Sequence, residues 1–153
     1  MKEVLASLLV WIANNSAYDA PEQLPQLEFQ AAAAFAEQAC PRRANCAARG
    51  YYHDGTGRIV VHEAYRGLTS VQERALVVHE LVHYLQDLSG RYGGEKTCEI
   101  WLEREREAFR LQIRYTIENT RGNILIPNTP KLSREQCERV RREEARREEA
   151  RRR

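Results

Sequence analysis

Apolar residues recur at intervals of three and four along much of the chain, and this spacing is typical of amphipathic helices. In residues 1–14 the spaced apolar positions are Leu5, Leu8, Leu9 and Ile12. A secretory signal peptide has a similar apolar run, but Glu3 and Ser7 interrupt this one. We therefore expect a helix of the folded domain here, with an export signal either absent or already removed.

The next two segments predict a helix followed by a β-hairpin. Leu27 to Gln38 is rich in alanine, a strong helix former with a small side chain, and Cys40-Pro41 would end that helix. Asn45 to Val61 contains two β-prone runs joined by the glycine-containing turn His53 to Gly57, which predicts an antiparallel hairpin.

Two longer helices are expected after the hairpin. The first runs from Val71 to Asp87, and Ser70 with Glu73 three residues later provides a capping box for it. The second covers Cys98 to Glu118, and three glycines in the loop Ser89 to Gly94 permit a tight reversal between the two. Apolar residues in the middle of the first helix indicate that it is buried: Val77, Val78, Leu81, Val82 and Leu85.

The C-terminal part of the chain differs in character. A short apolar segment, Ile124 to Pro127, is expected to pack back on the core, and Ser133 with Glu135 or Gln136 would start a last helix. That helix continues in Arg-Arg-Glu-Glu-Ala repeats with almost no apolar stripe, so we expect it to be solvated. The sequence thus predicts one domain over residues 1–132 and a charged helix over residues 133–153.

Composition and charge argue against two classes of protein. A hydrophobic content of 42% in 153 residues suits one domain with a modest core. The net charge is +2, but residues 138–153 carry +3 from eight arginines and five glutamates, which leaves −1 on the other 137 residues. Because the body of the chain is not basic, no nucleic-acid partner is expected. No apolar run approaches the roughly 18 residues of a membrane span.

Three polar residues in the middle of the helix predicted at 71–87 are the candidates for a metal site and for catalysis. His79 and His83 are four residues apart, so on a helix both imidazoles can reach a single cation. Glu80 points about a third of a turn aside, where it can act as a general base instead of a ligand. Burying these side chains would be costly unless they bind something.

The segment His79-Glu80-Leu81-Val82-His83 resembles the HExxH zinc-binding helix of the zincin metallopeptidases, whose motif also has uncharged flanks. Metzincins need a glycine and a histidine where this chain has Gln86 and Ser89, so that branch is excluded. Gluzincins take a third ligand from a glutamate on the following helix, often in the pattern Glu-x-x-Ala, which Glu105 to Ala108 matches. Over about residues 45–118 the chain is therefore similar to the compact gluzincins called minigluzincins.

Helical phase also selects Glu105 among the glutamates of that helix. It lies within a broad stripe formed by Trp101, Leu102, Ala108, Phe109 and Gln112. Glu103 and Glu107 would lie on the opposite face and form ion pairs with arginines, although both remain alternatives as the third ligand. Gluzincins often place an aspartate, which orients a zinc-bound histidine, where this chain has a phenylalanine. Gln86 and Gln112 are the candidates for that supporting role.

The resemblance implies a cofactor and a mechanism. Zn²⁺ would be bound by His79, His83 and Glu105, and Glu80 would assist the attack of a zinc-bound water on a peptide or protein substrate. The chain is thus expected to be a small zinc metallopeptidase, a hydrolase. The alternatives are a zinc-binding scaffold or regulatory module without turnover, and an inhibitory partner that binds through its charged C-terminal helix. The sequence leaves the bond cleaved and the oligomeric state open.

The fold implied by the resemblance is α+β, a mainly helical zincin-like core with a small antiparallel hairpin before the HExxH helix. In zincins a strand of such a hairpin lines the cleft and binds an extended substrate along its edge. The arm that contains Ile59, Val60 and Val61 is the candidate for that edge strand. A donor for the oxyanion is also needed, and Tyr115 and His62 are the candidates, with Tyr92 and His53 as further possibilities.

Four cysteines remain, and none has the Cys-x-x-Cys spacing of a structural zinc site. Cys40 could pair with Cys46 to close a small loop, and Cys98 could pair with Cys137 to hold the last helix on the body. Disulfides would favour an oxidising compartment, periplasmic or secreted, over the cytoplasm. Four unpaired thiols in a cytosolic protein are the alternative.

Overall fold

The computed structural model describes residues 1–40, 46–94, 97–121 and 132–151. In chain order the elements are helix α1 (Lys2–Asn15), strand β1 (Gln26–Gln30), helix α2 (Ala32–Ala39), strands β2 (Gly50–His53) and β3 (Arg58–His62), a 3-10 helix (Glu63–Tyr65), and helices α3 (Val71–Ser89), α4 (Cys98–Asn119) and α5 (Arg134–Arg151). The architecture is α+β, as predicted. The expected packing of Ile124 to Pro127 lies outside the described residues.

The N-terminal segment forms a helix, α1, as its apolar spacing predicted. The side chains of α1 that the spacing selected are buried in the core: Leu5, Leu8, Leu9 and Ile12. They pack with the apolar residues of α3, so α1 is part of the folded body. Among the helices of the described ranges, none is both long and apolar enough to cross a membrane.

The prediction of a helix over Leu27 to Gln38 is wrong in its first part. Gln26–Gln30 forms a strand, and only Ala32–Ala39 is helical. Polar and apolar residues alternate in Gln-Leu-Glu-Phe-Gln, and this period of two suits a strand with one face on the core. Leu27 and Phe29 supply that face. The alanines that follow dominated the composition of the segment and concealed the alternation.

The three strands form a mixed sheet in the order β1-β3-β2. β2 and β3 form the predicted antiparallel hairpin, and β1 pairs with β3 in parallel. β3 is therefore the central strand, so the prediction that Ile59, Val60 and Val61 form a substrate edge is wrong. These three residues are fully buried and are paired with a strand on both sides. Among the strands of the described residues, β1 and β2 form the edges of the sheet, and β2 is the edge that packs against α3.

Helix α3 begins with the predicted capping box and passes through the core. The Ser70 hydroxyl accepts a hydrogen bond from the Glu73 backbone N–H at 3.2 Å, and the Glu73 carboxylate accepts from the Ser70 N–H at 3.1 Å. The apolar residues of α3 that precede His79 and separate Glu80 from His83 are fully buried: Val77, Val78, Leu81 and Val82. Gly90 ends the helix in the left-handed conformation, with a φ of 62°. Helix α4 then packs on α3.

Both disulfides expected from the cysteine positions are present, Cys40–Cys46 and Cys98–Cys137. The second bond joins the first turn of α4 to α5, so it holds the charged helix on the rest of the molecule. The Cα atoms of each pair are 5.5 Å apart, which is an ordinary separation for a disulfide. Because disulfides persist in oxidising compartments, the two bonds point to an oxidising environment.

Candidate metal centre

Three side chains from α3 and α4 converge on one point. His79 and His83 lie one turn apart on α3, and their Nε2 atoms are 3.2 Å from each other. The Glu105 carboxylate of α4 places Oε2 3.5 Å from His79 Nε2 and Oε1 3.3 Å from His83 Nε2. One ligand atom from each of the three residues lies within 4.8 Å of the others. This is a group that could hold a metal ion.

Hydrogen bonds behind the imidazoles hold both rings in place. His79 Nδ1 lies 3.0 Å from Gln112 Oε1, and His83 Nδ1 lies 2.9 Å from Gln86 Oε1. Both glutamines proposed from the sequence therefore contact the histidines. Phe109, which stands where gluzincins often have an aspartate, packs edge-on against His79 with the ring centroids 4.4 Å apart.

The amide of Gln86 has a defined orientation. Its Nε2 group donates to the Arg104 backbone carbonyl at 3.0 Å and to Glu107 Oε2 at 3.1 Å, and its Oε1 accepts from Arg104 Nε at 3.0 Å. The atom facing His83 is therefore the amide oxygen, and His83 must carry a proton on Nδ1 to bond with it. In the neutral imidazole, the Nε2 lone pair then faces Glu105 and His79.

This donor set fits a metal ion. Two imidazole nitrogens and one carboxylate are the ligands of many catalytic zinc sites, which keep a further position open. The three residues are largely removed from solvent, with His79 and His83 each 8% exposed. With both Nδ1 atoms protonated towards their glutamines, two Nε2 lone pairs 3.2 Å apart next to a carboxylate would repel one another unless a cation lay between them.

The charges within the cluster favour a bound cation. Burial alone would lower the pKa of His83, but the neighbouring Glu105 carboxylate outweighs burial and raises this pKa to about 9. Burial likewise opposes ionisation of Glu105, and hydrogen bonds from His79 and His83 hold its pKa well below the usual range. A carboxylate between two imidazoles therefore favours a positive charge at this point, which a proton or a metal ion could supply.

Glu80 lies beside the three converging residues and is 5% exposed. Burial raises the pKa of its carboxyl group, while the two histidines and the Tyr52 backbone N–H that hydrogen-bonds to it oppose that rise. Gly50 also lies beside this side chain, since a Cβ there would be 3.4 Å from Glu80 Cγ and Oε1, an ordinary contact distance. Strand β2 thus packs against Glu80 and supplies one backbone donor to it.

A cleft of about 290 Å³ gives access to the cluster from outside. Its walls include Glu80 and the three converging residues, together with side chains that sequence reasoning did not select: Tyr51, Tyr52, Asp54, Trp101 and Arg104. The β2 strand supplies one wall and α4 the other. They come from two separate segments of the chain, and helical phase had placed only Trp101 on the same face as Glu105.

The two oxyanion donors expected from the sequence do not line this cleft. Tyr115 is buried on α4 against Trp11, with the ring centroids 5.0 Å apart. His62 lies at the end of β3, packs on Phe35, and accepts a hydrogen bond from the Ala64 N–H. Packing turns both rings towards other elements, so the structure does not bring Tyr115 or His62 to this cleft.

Glu107 was expected to form ion pairs on the outer face of its helix, and the structure gives it a more central place. Its side chain is only 10% exposed and lies 3.8 Å from Arg110, yet its closest partner is the Tyr18 hydroxyl at 2.6 Å. Burial opposes ionisation of Glu107, and hydrogen bonds led by those of Tyr18, Gln86 and Tyr92 lower its pKa. The sequence carried no signal of these contacts, since they come from distant segments.

Comparisons of the chain with protein-family models, with curated proteins and with solved structures found no match. Function therefore has to be inferred from the residues of the site themselves.

Proposed function

We propose that this protein is a small zinc metallopeptidase of the gluzincin type. The observation that carries the proposal is the convergence of His79, His83 and Glu105 within 4.8 Å of one another, with the Glu80 carboxylate beside them. A site that only holds a metal for structural reasons needs no base at its edge. The HExxH spacing and the downstream glutamate support the same class.

In this proposal His79, His83 and Glu105 would hold zinc, and zinc when bound would polarise a carbonyl and make water more acidic. Glu80 would accept a proton from the attacking water and return it to the departing amine. The Tyr52 N–H would keep the Glu80 carboxylate aimed at the cleft. Gln112 and Gln86 would keep the Nε2 atoms of the histidines turned inward.

The substrate would be a peptide or a protein segment in an extended conformation. Among the strands that the structure describes, β2 is an edge of the sheet and borders the cleft, so an extended peptide would lie along it. This role replaces the one expected for β3. The two disulfides support a periplasmic or secreted location for the reaction.

The test of the proposal compares the zinc-loaded wild type with Glu80→Gln on a peptide library. This change keeps the size of the side chain and leaves the three proposed ligands in place, so zinc content should stay the same. Because the amide cannot accept the proton, cleavage should fall by at least about a hundredfold. Glu103→Gln, at an exposed position of α4, is the control and should cleave as the wild type does. Equal cleavage by the wild type and Glu80→Gln would contradict the proposal.

One observation favours a second candidate, a zinc-binding module without turnover. Neither of the side chains expected to stabilise an oxyanion lines the cleft. For this candidate, the wild type would bind zinc and leave every peptide in the library intact.

A further inference from the structure

Glu107 collects hydrogen bonds from three separate parts of the chain. Its Oε2 atom accepts from the Tyr18 hydroxyl at 2.6 Å, from the Tyr92 hydroxyl at 3.1 Å and from Gln86 Nε2 at 3.1 Å. Its Oε1 atom accepts a hydrogen bond from Arg91 Nη1 at 3.3 Å. Tyr18 follows α1, and Arg91 and Tyr92 follow α3, so this carboxylate joins both segments to α4.

The contact between Glu107 and Gln86 leads directly to the metal centre. Gln86 is almost fully buried, and its oxygen bonds to His83 Nδ1 at 2.9 Å. Its nitrogen bonds to Glu107 and to the Arg104 carbonyl. Glu107 is thus connected to the proposed ligand His83 through a single side chain, although it does not touch that ligand.

The orientation of the Gln86 amide decides which nitrogen of His83 is available to a cation. With the oxygen towards His83, the proton sits on Nδ1 and the Nε2 lone pair faces Glu105. If the amide turned over, its NH₂ group would need an acceptor at Nδ1. The neutral ring would then carry its proton on Nε2, where it blocks a cation. An acceptor at Glu107 opposes that turn, because it requires the NH₂ group on its own side.

We infer that Glu107 is a positioning residue for the metal centre, which acts through Gln86 to keep the Nε2 lone pair of His83 turned towards the ion. The inference rests on the metal site of the proposed function and does not depend on peptide cleavage. It explains why a carboxylate two residues after Glu105 is turned into the body, while Glu103 on the same helix is exposed.

The test measures zinc affinity by competition with a chromophoric chelator in a double-mutant cycle. Glu107→Ala should weaken zinc binding about tenfold, within the range found when groups behind a ligand are removed. Gln86→Ala should weaken it at least as much. In the Gln86→Ala background, Glu107→Ala should lower zinc affinity by less than about a further twofold, because the side chain that connects Glu107 to His83 is already absent. Glu103→Ala is the control and should leave zinc affinity unchanged.

A second measurement separates positioning from a general loss of structure. In the zinc-loaded wild type, proton–nitrogen NMR should show a slowly exchanging Nδ1–H on both His79 and His83. Glu107→Ala should speed exchange at His83 and leave His79 unchanged, since Gln112 and not Gln86 supports that ring. If the alanine variants do not fold, Glu107→Leu and Gln86→Leu, which fill the space, give the same cycle.

The outcomes distinguish this inference from the proposed function. A wild type that binds no zinc contradicts the metal centre itself. If the wild type binds zinc and folded Glu107→Ala binds zinc equally well, the inference about Glu107 is overturned and the metal centre stands. The inference is also overturned if the loss of zinc affinity caused by Glu107→Ala adds fully to the loss caused by Gln86→Ala, because Glu107 would then act on zinc binding without Gln86.

Discussion

Gln112 and Gln86 show, at the scale of single residues, how buried histidines are kept ready for a cation. Each glutamine oxygen bonds to an Nδ1 atom, and each Nε2 atom faces the Glu105 carboxylate. Helical phase placed both glutamines near the histidines, since they lie seven residues after His79 and after Glu105. Phase could not reveal Glu107, whose partners lie 89, 21 and 15 residues away in the chain.

Gln112→Ala should weaken zinc binding about 10- to 100-fold, because His79 would lose the acceptor that fixes its ring. Gln72→Ala, at an exposed position in the first turn of α3, is the matched control and should have no effect. Zinc titration of both variants against the same chelator measures the difference. Equal affinity in the Gln112 variant would show that the hydrogen bond to His79 does not support the ion.

The elements that position the site differ in how clearly the sequence marks them. Helix α3 was predictable because its capping box marks the start and its apolar spacing continues along it, although it ends at Ser89, two residues after the predicted Asp87. Strand β1 was not, because five alternating residues stand directly before a longer alanine-rich run. Its pairing with β3 made β2 the edge beside the cleft, and this arrangement is a property of the sheet as a whole.

Ser70→Ala should lower the free energy of unfolding by about 1 kcal/mol, because the first turn of α3 would lose its side-chain cap. The apolar core would be untouched, so the slope of the denaturation curve should not change. Urea unfolding followed by circular dichroism gives both quantities. An unchanged midpoint would mean that the capping box does not stabilise α3.

Glu73 makes the same cap sensitive to pH. Hydrogen bonds from the Ser70 and Thr69 backbone N–H groups lower the pKa of its carboxyl group. A lowered pKa in the folded state means that the contribution is present above the unfolded pKa of about 4.3 and is lost as pH falls below it. The stability difference between the wild type and Glu73→Ala should therefore shrink as pH falls from above the unfolded pKa through the lowered pKa of the folded state. A difference that grows as pH falls would contradict this sign.

At the scale of the whole molecule, two disulfides and one mixed sheet hold a small core together. Cys98 and Cys137 close a much longer stretch of chain than Cys40 and Cys46, with sequence separations of 39 and 6. The sequence allowed these pairs to be proposed from position alone. It did not establish them, because pairing depends on α5 returning to the first turn of α4.

Replacing Cys98 and Cys137 together by serine should cost about 4 kcal/mol of stability, since the unfolded chain would regain the freedom of a long loop. The double change at Cys40 and Cys46 is the control and should cost less, because its loop is short. Denaturant unfolding of both proteins, without reductant, gives the comparison. A larger loss for the short loop would contradict the role given to the α4–α5 bond.

The most direct measurement of the central claim is the zinc content of the purified protein after dialysis against buffered zinc. The arrangement of His79, His83 and Glu105 predicts about one zinc ion per chain, bound through nitrogen and oxygen. His79→Ala and Glu105→Ala should each abolish tight binding, and Glu103→Ala should retain it. A folded wild type without zinc, or one whose zinc survives both ligand substitutions, would contradict the account.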